Sequence, residues 1–242
     1  MPNEAAQYQK RNIRGLFTRI ARHYDLVNRV LALGQDQRWR RVALDCTELP
    51  PGGKLLDVAT GTGDLAILAQ QLPGSPWIAA SDLTPAMLRL AQAKASSLPL
   101  AVSDGLALSF PDNTFDAVTS AFMMRNVPSV LDALGEQTRV VKPGGKVVCL
   151  EITWPRRLPM SWLFKIYFFG LPPVVGKLVA GEGEPYRYLP RSVKQFLEPS
   201  ALAEVMVQAG LHDVVWRTMM LGTVAIHVGT KQHLEDECEP IR

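Results

Sequence analysis

The middle of the chain alternates short apolar runs with longer segments in which apolar residues recur every three or four positions. Short apolar runs predict buried strands, and the longer period predicts helices. The predicted strands cover residues 54–59, 77–81, 98–102, 115–121 and 146–151, and the predicted helices cover residues 64–72, 84–95 and 129–141. This alternation predicts an α/β fold with a mostly parallel sheet and helices on both faces. In such a sheet, ligands bind beyond the carboxyl ends of the strands.

The flanking segments are expected to complete a single domain, the usual outcome for 242 residues. A helical cap is predicted at 13–50, before a core at 51–151 in which the turn 143–145 starts the last strand. An apolar insertion follows at 152–190. The C-terminal part, 191–230, is predicted to hold a helix at 199–209 and strands at 213–217 and 223–229. The polar tail, 231–242, is expected to fray.

The insertion contains a strongly apolar stretch, 158–180, that is interrupted by Lys165, the Pro172–Pro173 pair and Lys177. Its uninterrupted apolar runs are too short to span a bilayer. Two interpretations remain open. The stretch is either an amphipathic element that covers an apolar ligand or touches a membrane surface, or a helix–turn–helix that is buried in the core or in a dimer interface.

Composition narrows the class of protein without identifying it. Hydrophobic residues make up 47% and charged residues 20%, which is typical of a globular chain. The net charge is +3, and the densest basic cluster, at residues 38–41, is too small to predict nucleic-acid binding. The three cysteines have no disulfide or metal-ligand spacing, which favours a reducing compartment and no metal site. Residues 1–15 lack a signal-peptide pattern, so a cytoplasmic location is expected.

The strongest local motif is the turn between the first predicted strand and the first core helix. It reads Asp57-Val-Ala-Thr-Gly-Thr-Gly-Asp64. Gly61 and Gly63 allow the backbone to approach a ligand closely, and the following helix offers free N–H groups. The same turn also fits the weak dinucleotide pattern. Asp57 favours the methyltransferase version, because a carboxylate at this strand end can receive the ammonium of an amino-acid moiety.

Two further acids follow the next two strands. Asp82 is placed to accept both hydroxyls of a ribose, although a role as a helix N-cap stays open. Asp104 can meet an adenine amino group, and Gly105 leaves room for the ring, although a simple turn is the alternative. Three acids at successive strand ends predict a nucleoside-containing cofactor much more specifically than one acid does.

These motifs resemble those of the class I methyltransferases. More narrowly, they resemble the ubiquinone/menaquinone biosynthesis C-methyltransferase family, as do the segments Arg125-Asn-Val127 and Arg139-Val-Val-Lys-Pro-Gly-Gly145. Tyr24-Asp-Leu-Val-Asn28 and Tyr186-Arg-Tyr-Leu189 also match family segments. The resemblance covers residues 15–229. It implies a Rossmann-like sheet of seven strands, S-adenosylmethionine as cofactor, and a quinol with an isoprenoid-type tail as acceptor. It also makes a homodimer plausible.

The resemblance and the motifs together predict the residues of the cofactor site. They are Tyr24, Asp57, Ala59, Gly61, Thr62, Gly63, Asp82, Leu83, Asp104, Gly105 and Ala121.

Departures from the family pattern cluster on the expected acceptor side. Val27 replaces a methionine, Ala32 a serine and Asp36 a histidine. Met123 and Met124 replace Gly-Leu. Nearer the cofactor, Ala121 stands where many members carry a serine, and Leu106 where an acid is common.

Methylation of a ring carbon needs a proton acceptor and a group that stabilises the ring oxyanion. The candidates are Arg125, Tyr24, Tyr186 and His23, with Asp25 and Arg187 beside them. Arg125 suits an electrostatic role because it is a permanent cation, and a structural ion pair with Asp132 or Glu151 is its alternative. His23 has a suitable ordinary pKa for a base.

Other functions remain open at this point. A nicotinamide oxidoreductase shares the glycine turn, but the chain has no Tyr-x-x-x-Lys pair. A nucleic-acid N-methyltransferase would carry Asn/Asp-Pro-Pro-aromatic after the fourth strand, where this chain has residues 121–126 without proline. A methyltransferase of another small molecule is the serious rival, and a non-catalytic binding module is the last.

Overall fold

The fold is organised around one sheet of seven strands. The computed structural model describes residues 4–155, 160–180 and 188–232. The strand order is β3-β2-β1-β4-β5-β7-β6. The strands are β1 (Lys54–Val58), β2 (Trp77–Asp82), β3 (Leu100–Val102), β4 (Phe115–Ala121), β5 (Val141–Ile152), β6 (Leu211–Met219) and β7 (Val224–Lys231).

Strand direction confirms the predicted mostly parallel sheet. The pairs that join β3, β2, β1, β4 and β5 are all parallel, and β7 is antiparallel to both of its neighbours. Chain order reverses between β1 and β4, because β2 and β3 extend the sheet on one side and β5 extends it on the other. This switch point is where the carboxyl ends of neighbouring strands open a crevice for a ligand.

Helices cover both faces of the sheet, as predicted. Within the described residues they are α1 (Glu4–Ile20), α2 (Tyr24–Leu31), α3 (Asp36–Asp45), α4 (Asp64–Ala69), α5 (Pro85–Lys94), α6 (Val130–Val140), α7 (Met160–Ala180), α8 (Tyr188–Gln195) and α9 (Pro199–Gln208). Leu55 and Leu56 show the two-sided burial, since both are fully buried but belong to different core clusters. Leu55 packs with α3 and α4, and Leu56 with α6 and α9.

The strand predicted at 146–151 is longer than expected. β5 already begins at Val141, and its pairing with β4 passes from Phe115–Val141 to Ala117–Lys146. Four residues on β5 therefore stand opposite one on β4. The predicted turn at 143–145 is a bulge inside the strand, with Gly144 at φ +77°, a conformation that glycine adopts at little cost.

The helical cap begins earlier than its predicted start at residue 13. α1 begins at Glu4, and Ile13 and Phe17 lie one turn apart on it. Phe17 packs with Ile20, Tyr24 and Met87 in a cluster that joins the cap to α5. The sequence did not predict the first turns of α1, because this polar segment has little hydrophobic periodicity.

Residues 160–180 of the apolar stretch form one helix rather than a helix–turn–helix. α7 continues through Pro172 and Pro173, although proline in a helix removes a hydrogen bond. Packing on both sides of the prolines offsets this loss. Phe164 and Phe168 pack against α8, and Val175 packs against the cap. Among the described helices, none is both long and apolar enough to cross a membrane.

The next described element is α8, which starts at Tyr188, inside the predicted insertion. Residues 181–187, and with them the candidates Tyr186 and Arg187, lie outside the described residues. The tail from 233 onward does so too.

Candidate functional site

The turn between β1 and α4 has the unusual backbone that its glycines predict. Gly61 and Gly63 have φ values of +59° and +85°, and Ala59 also lies in the left-handed region at +55°. Gly63 is packed tightly as well, since an added Cβ would lie 3.0 Å from the Cβ of Ala91. The turn therefore brings bare backbone to the carboxyl end of β1.

Asp57 lies under this turn with its carboxylate turned toward two threonines. Thr60 Oγ1 donates to Oδ2 at 2.6 Å, and Thr119 Oγ1 donates to Oδ1 at 2.9 Å. Burial raises the pKa of Asp57 to about 6, against the lowering effect of both hydrogen bonds. The carboxylate is held at a fixed position, where its charge is costly unless a cation approaches it.

Asp82 fastens the end of β2 to the glycine turn. Its Oδ2 accepts the N–H of Gly61 at 2.9 Å, and its Oδ1 accepts the N–H of Thr84 at 2.7 Å. The N-cap of α5 is Thr84, so Asp82 is not the helix N-cap that the sequence left open; its bond to the Thr84 N–H is a local turn just before the helix. Burial raises the pKa of Asp82. Each oxygen keeps a lone pair for a further donor.

Asp104 and Gly105 follow β3 and face the cap. Asp104 accepts the N–H of Leu106 at 3.0 Å and pairs with Lys10 of α1 at 2.5 Å. At Gly105 an added Cβ would lie only 2.1 Å from the Cε of Met123. The space beside Gly105 is thus already narrow without a side chain.

These strand ends and the cap border a first cavity of about 100 Å³. Eight of the predicted cofactor residues line it: Tyr24, Ala59, Gly61, Asp82, Leu83, Asp104, Gly105 and Ala121. The other three, Asp57, Thr62 and Gly63, do not line it.

A hydrogen bond and two ion pairs join the helical cap to the glycine turn and to α4 and α5. Asp25 accepts the hydroxyl of Thr62 and pairs with Lys94 at 2.6 Å. Lys94 also pairs with Asp64 at 2.7 Å. These contacts fix α2 over the cavity and explain how Tyr24 comes to lie 3.9 Å from the position of a Cβ on Gly61.

The segment after β4 is shaped by a buried ion pair. Arg125 Nη1 donates to Glu151 Oε2 at 2.9 Å and to the carbonyl of Phe122 at 2.8 Å. Glu151 Oε1 accepts the N–H of Met124, and Phe122 is held at φ +60°. Burial raises the pKa of Glu151, while Arg125 acts to lower it. The structural pair that the sequence left open for Arg125 is therefore the one with Glu151.

A second cavity, of about 270 Å³, lies on the other side of Tyr24 and Phe122. Both residues line both cavities. The second cavity is walled by α2, α3, α7 and the loop before β7, and most of its surface is apolar. Its polar lining includes Asp36, Arg40, Arg125 and Tyr167. Arg40 and Arg125 lie 5.5 and 5.7 Å from the Phe122 ring centroid.

The four catalytic candidates have different outcomes. Tyr24 and Arg125 line the second cavity. His23 is half-buried and lines neither cavity, because a one-residue step from Tyr24 turns it to another side of the backbone. Tyr186 lies outside the described residues. Burial raises the pKa of Tyr24, so its hydroxyl is a hydrogen-bond donor rather than a base at neutral pH.

The family model described as the ubiE/COQ5 methyltransferase family matches residues 5–231 of the chain. The chain belongs to this family. It is 42% identical to the demethylmenaquinone methyltransferase of Thermus thermophilus over 89% of this chain and all of that protein. It is also 40% identical to the ubiquinone/menaquinone biosynthesis C-methyltransferase of Geobacter sulfurreducens, over 90% of this chain and 88% of that protein.

Solved structures of more distant proteins share the fold. One is the methyltransferase in a complex with the Haloferax volcanii Trm112 activator, with a TM-score of 0.65, 18% identity, and coverage of 90% of this chain and 98% of that chain. Another is a carbon methyltransferase named CurJ, with a TM-score of 0.60, 18% identity, and coverage of 94% of this chain and 69% of that one. At this identity the likeness concerns the class I methyltransferase fold alone.

Sequence reasoning missed the residues that the first helix brings to the first cavity. Lys10, Ile13 and Phe17 line it, with Thr84 and Met87 from the start of α5. The spacing of Ile13, Phe17 and Ile20 is a helical apolar stripe and was the available signal. Lys10 left no signal, because a single lysine on a polar helix is usually solvated.

Asp57→Asn should stabilise the fold at neutral pH. The folded pKa of about 6 lies above the ordinary 3.8, so the native protein loses stability as pH rises from about 4 to 6. Asparagine removes this loss, by about 1–3 kcal/mol above pH 6 and by little at pH 4. Urea unfolding of both proteins at pH 4.5 and 7.5 measures the difference.

Asp116→Asn is the matched control with the opposite sign. Burial acts to raise the pKa of Asp116, but the hydrogen bonds from Lys142 and from the N–H of Lys54 lower it overall. This variant should be less stable than the native protein at pH 7.5, and the difference should shrink as pH falls toward the acid range. An Asp57→Asn protein that is less stable than native at pH 7.5 would contradict the interpretation of the buried carboxylate.

Proposed function

We propose that this protein transfers a methyl group from S-adenosylmethionine to a ring carbon of a prenylated quinol of the demethylmenaquinol type, in quinone biosynthesis. The observation that carries the proposal is the pair of cavities that share Tyr24 and Phe122. The first combines the carboxylates of Asp82 and Asp104 and the glycine turn with apolar side chains, and the second is mostly apolar. A methyl donor in the first and a lipophilic ring in the second would meet at this shared wall.

The first cavity fits S-adenosylmethionine. Asp82 keeps lone pairs for ribose hydroxyls, and the narrow space beside Gly105 suits a flat ring such as adenine. Asp57 is fixed by Thr60 and Thr119 behind the cavity wall, so its costly charge would be offset by the ammonium through water. When bound, the cofactor supplies an electrophilic methyl group.

The second cavity fits the acceptor. A hydroquinone ring becomes nucleophilic at carbon when its hydroxyl loses a proton, so the site must stabilise negative charge on oxygen. Arg125 suits this role. Its Nη1 is engaged by Glu151 and Phe122, but its buried Nε has no partner among the described residues. Tyr24 offers a protonated hydroxyl at the boundary of the two cavities.

Methyl transfer is the test of this function. Purified protein receives labelled S-adenosylmethionine with reduced demethylnaphthoquinol in detergent, with the oxidised quinone and a catechol as parallel acceptors. We expect label on the reduced quinol alone, because only that compound has both the ionisable hydroxyl and the ring. Tight S-adenosylmethionine binding with no transfer would overturn the acceptor and move the function to another small molecule.

The role of Arg125 is tested with both charges of its pair removed, since an unpaired buried carboxylate would cost about 3–5 kcal/mol. Arg125→Met/Glu151→Gln should lower kcat at least tenfold, about 1.4 kcal/mol. S-adenosylmethionine affinity should fall by less than kcat does, although the same pair also shapes the Phe122 turn between the two cavities. Isothermal titration and steady-state kinetics give the two numbers. Glu151→Gln alone keeps the guanidinium and is the control. A double variant with near-native kcat would remove Arg125 from the mechanism.

Membrane contact is also proposed, from the rim of the second cavity. Leu33 and Leu221 line this cavity and are 73% and 77% exposed. Exposed apolar side chains continue along α7, where Trp162, Ile166 and Leu178 accompany the exposed Lys165 and Lys177. Apolar residues with interspersed lysines suit the interface of an anionic bilayer, from which the acceptor's tail would enter the cavity.

Leu33→Asn/Leu221→Asn should weaken co-flotation with phosphatidylglycerol-containing vesicles several-fold, because two exposed apolar side chains are lost. Asparagine tolerates the left-handed backbone of both positions. kcat/KM should fall for a long-tailed acceptor in vesicles and stay unchanged for a short-tailed acceptor in detergent. Val207→Gln, at an exposed apolar residue of α9, is the control. Unchanged flotation together with a concentration-dependent dimer would assign the surface to a second copy.

The homodimer, the cytoplasmic location and the absence of nucleic-acid binding stay predictions from the sequence. So do the division into cap, core and insertion and the role of the 152–190 insertion as a cover for the acceptor. A methyltransferase of another small molecule is the second candidate, and the departures from the family pattern at Val27, Ala32 and Asp36 favour it.

A further inference from the structure

Asp36 is a buried acid in an otherwise mostly apolar cavity. It stands at the start of α3, is 4% exposed, and lines the second cavity. A buried carboxylate is costly and is expected to be fully hydrogen-bonded. Asp36 is only half satisfied, because its Oδ2 accepts from Arg40 at 2.6 Å whereas its Oδ1 has no partner among the described residues.

The same cavity is lined by Arg125, whose buried Nε is a donor without a partner among the described residues. A buried polar atom without a partner costs about 1–3 kcal/mol, and two such atoms of opposite character on one cavity define the ligand that would satisfy them. A hydroxyl donates through its hydrogen and accepts through its oxygen. The large apolar remainder of the cavity requires that this hydroxyl be attached to a lipophilic body.

From this pairing we propose that Asp36 is the proton acceptor for the acceptor's ring hydroxyl, with Arg125 as the partner of the resulting oxyanion. The inference rests on the proposed function and names a base that the family motifs do not supply, since the family pattern has a histidine at this position. Arg40 fixes the carboxylate, because both side chains are over nine-tenths buried and are one helical turn apart.

The proposed methyl transfer begins at the ring hydroxyl, and its bonds and protons balance. The ring hydroxyl gives its proton to Asp36, its electrons form a carbonyl, and the ring carbon forms a bond to the methyl carbon. The sulfur–methyl bond breaks, and its electron pair stays on sulfur. The hydrogen on the methylated carbon then leaves as a proton to water, and Asp36 returns its proton to the oxygen as the ring becomes aromatic again. One proton is released in total.

The charged and titratable groups around Asp36 come from several elements. Arg40 is on the same helix, Tyr24 is on α2, Tyr167 is on α7, and Arg125 follows β4 with Glu151 as its partner. Burial raises the pKa of both tyrosines, so neither is a base at neutral pH. Asp36 contributes a carboxylate to this lining, and its Oδ1 has no partner among the described residues.

The test compares Asp36→Asn with Asp36→His. Asparagine cannot take the proton, so kcat should fall by about a hundredfold or more while S-adenosylmethionine affinity is kept. Histidine restores a base, so kcat should recover in part. The acid limb of its pH profile should move upward from the native one, because an imidazole has a higher ordinary pKa, about 6.5, than a carboxylate. Asp45→Asn, at an exposed acid of α3, is the matched control.

Two measurements keep the test decisive. If Asp36→Asn is unstable because Arg40 is left unpaired, Asp36→Asn/Arg40→Gln removes both charges and should lose kcat equally. Anaerobic titration with 1,4-naphthalenediol should show weaker binding to Asp36→Asn than to native protein, independently of turnover. Less than a tenfold loss of kcat, or an unshifted acid limb in Asp36→His, would overturn the role of Asp36. Absence of quinol methylation by native protein would overturn the proposed function instead.

Discussion

The ion pair between Arg125 and Glu151 is the interaction on which the arrangement of both cavities depends. Glu151 lies near the end of β5 and is fully buried, so its charge is tolerable only with partners. It receives one from the Arg125 side chain and one from the Met124 backbone, and Arg125 in turn holds the carbonyl of Phe122. This network fixes the turn after β4 in a conformation that a phenylalanine would rarely adopt by itself.

The same turn is tied outward to the C-terminal helices. Asn126 also donates to the Phe122 carbonyl, and its own oxygen accepts the hydroxyl of Tyr188 on α8. α8 also packs with Phe164 and Phe168 of α7. Side-chain contacts therefore connect the α7 wall of the second cavity to the sheet. The left-handed Phe122 thereby separates two cavities of different chemistry.

The sequence predicted the first cavity better than the second, and the reason is physical. Strand ends are local features. The glycine turn, Asp82 and Asp104 could therefore be placed from short motifs, together with the rule that ligands bind beyond the carboxyl ends of parallel strands. The second cavity is built from α2, α3, α7 and the loop before β7, and more than a hundred residues of chain lie between α3 and α7. No local pattern shows that Asp36 and Arg125 share a cavity. The bulge at 143–145 and the continuous α7 were missed because both depend on tertiary packing.

Tyr24 and Phe122 line both cavities, so they are poor positions for redesigning the choice of acceptor. A change at either residue would reshape the donor side and the acceptor side together, so its effects on the two substrates would be confounded. Leu31 and Ala32 line only the second cavity and are therefore better starting positions. Selectivity for a new acceptor is separable from donor recognition only where a residue faces a single compartment.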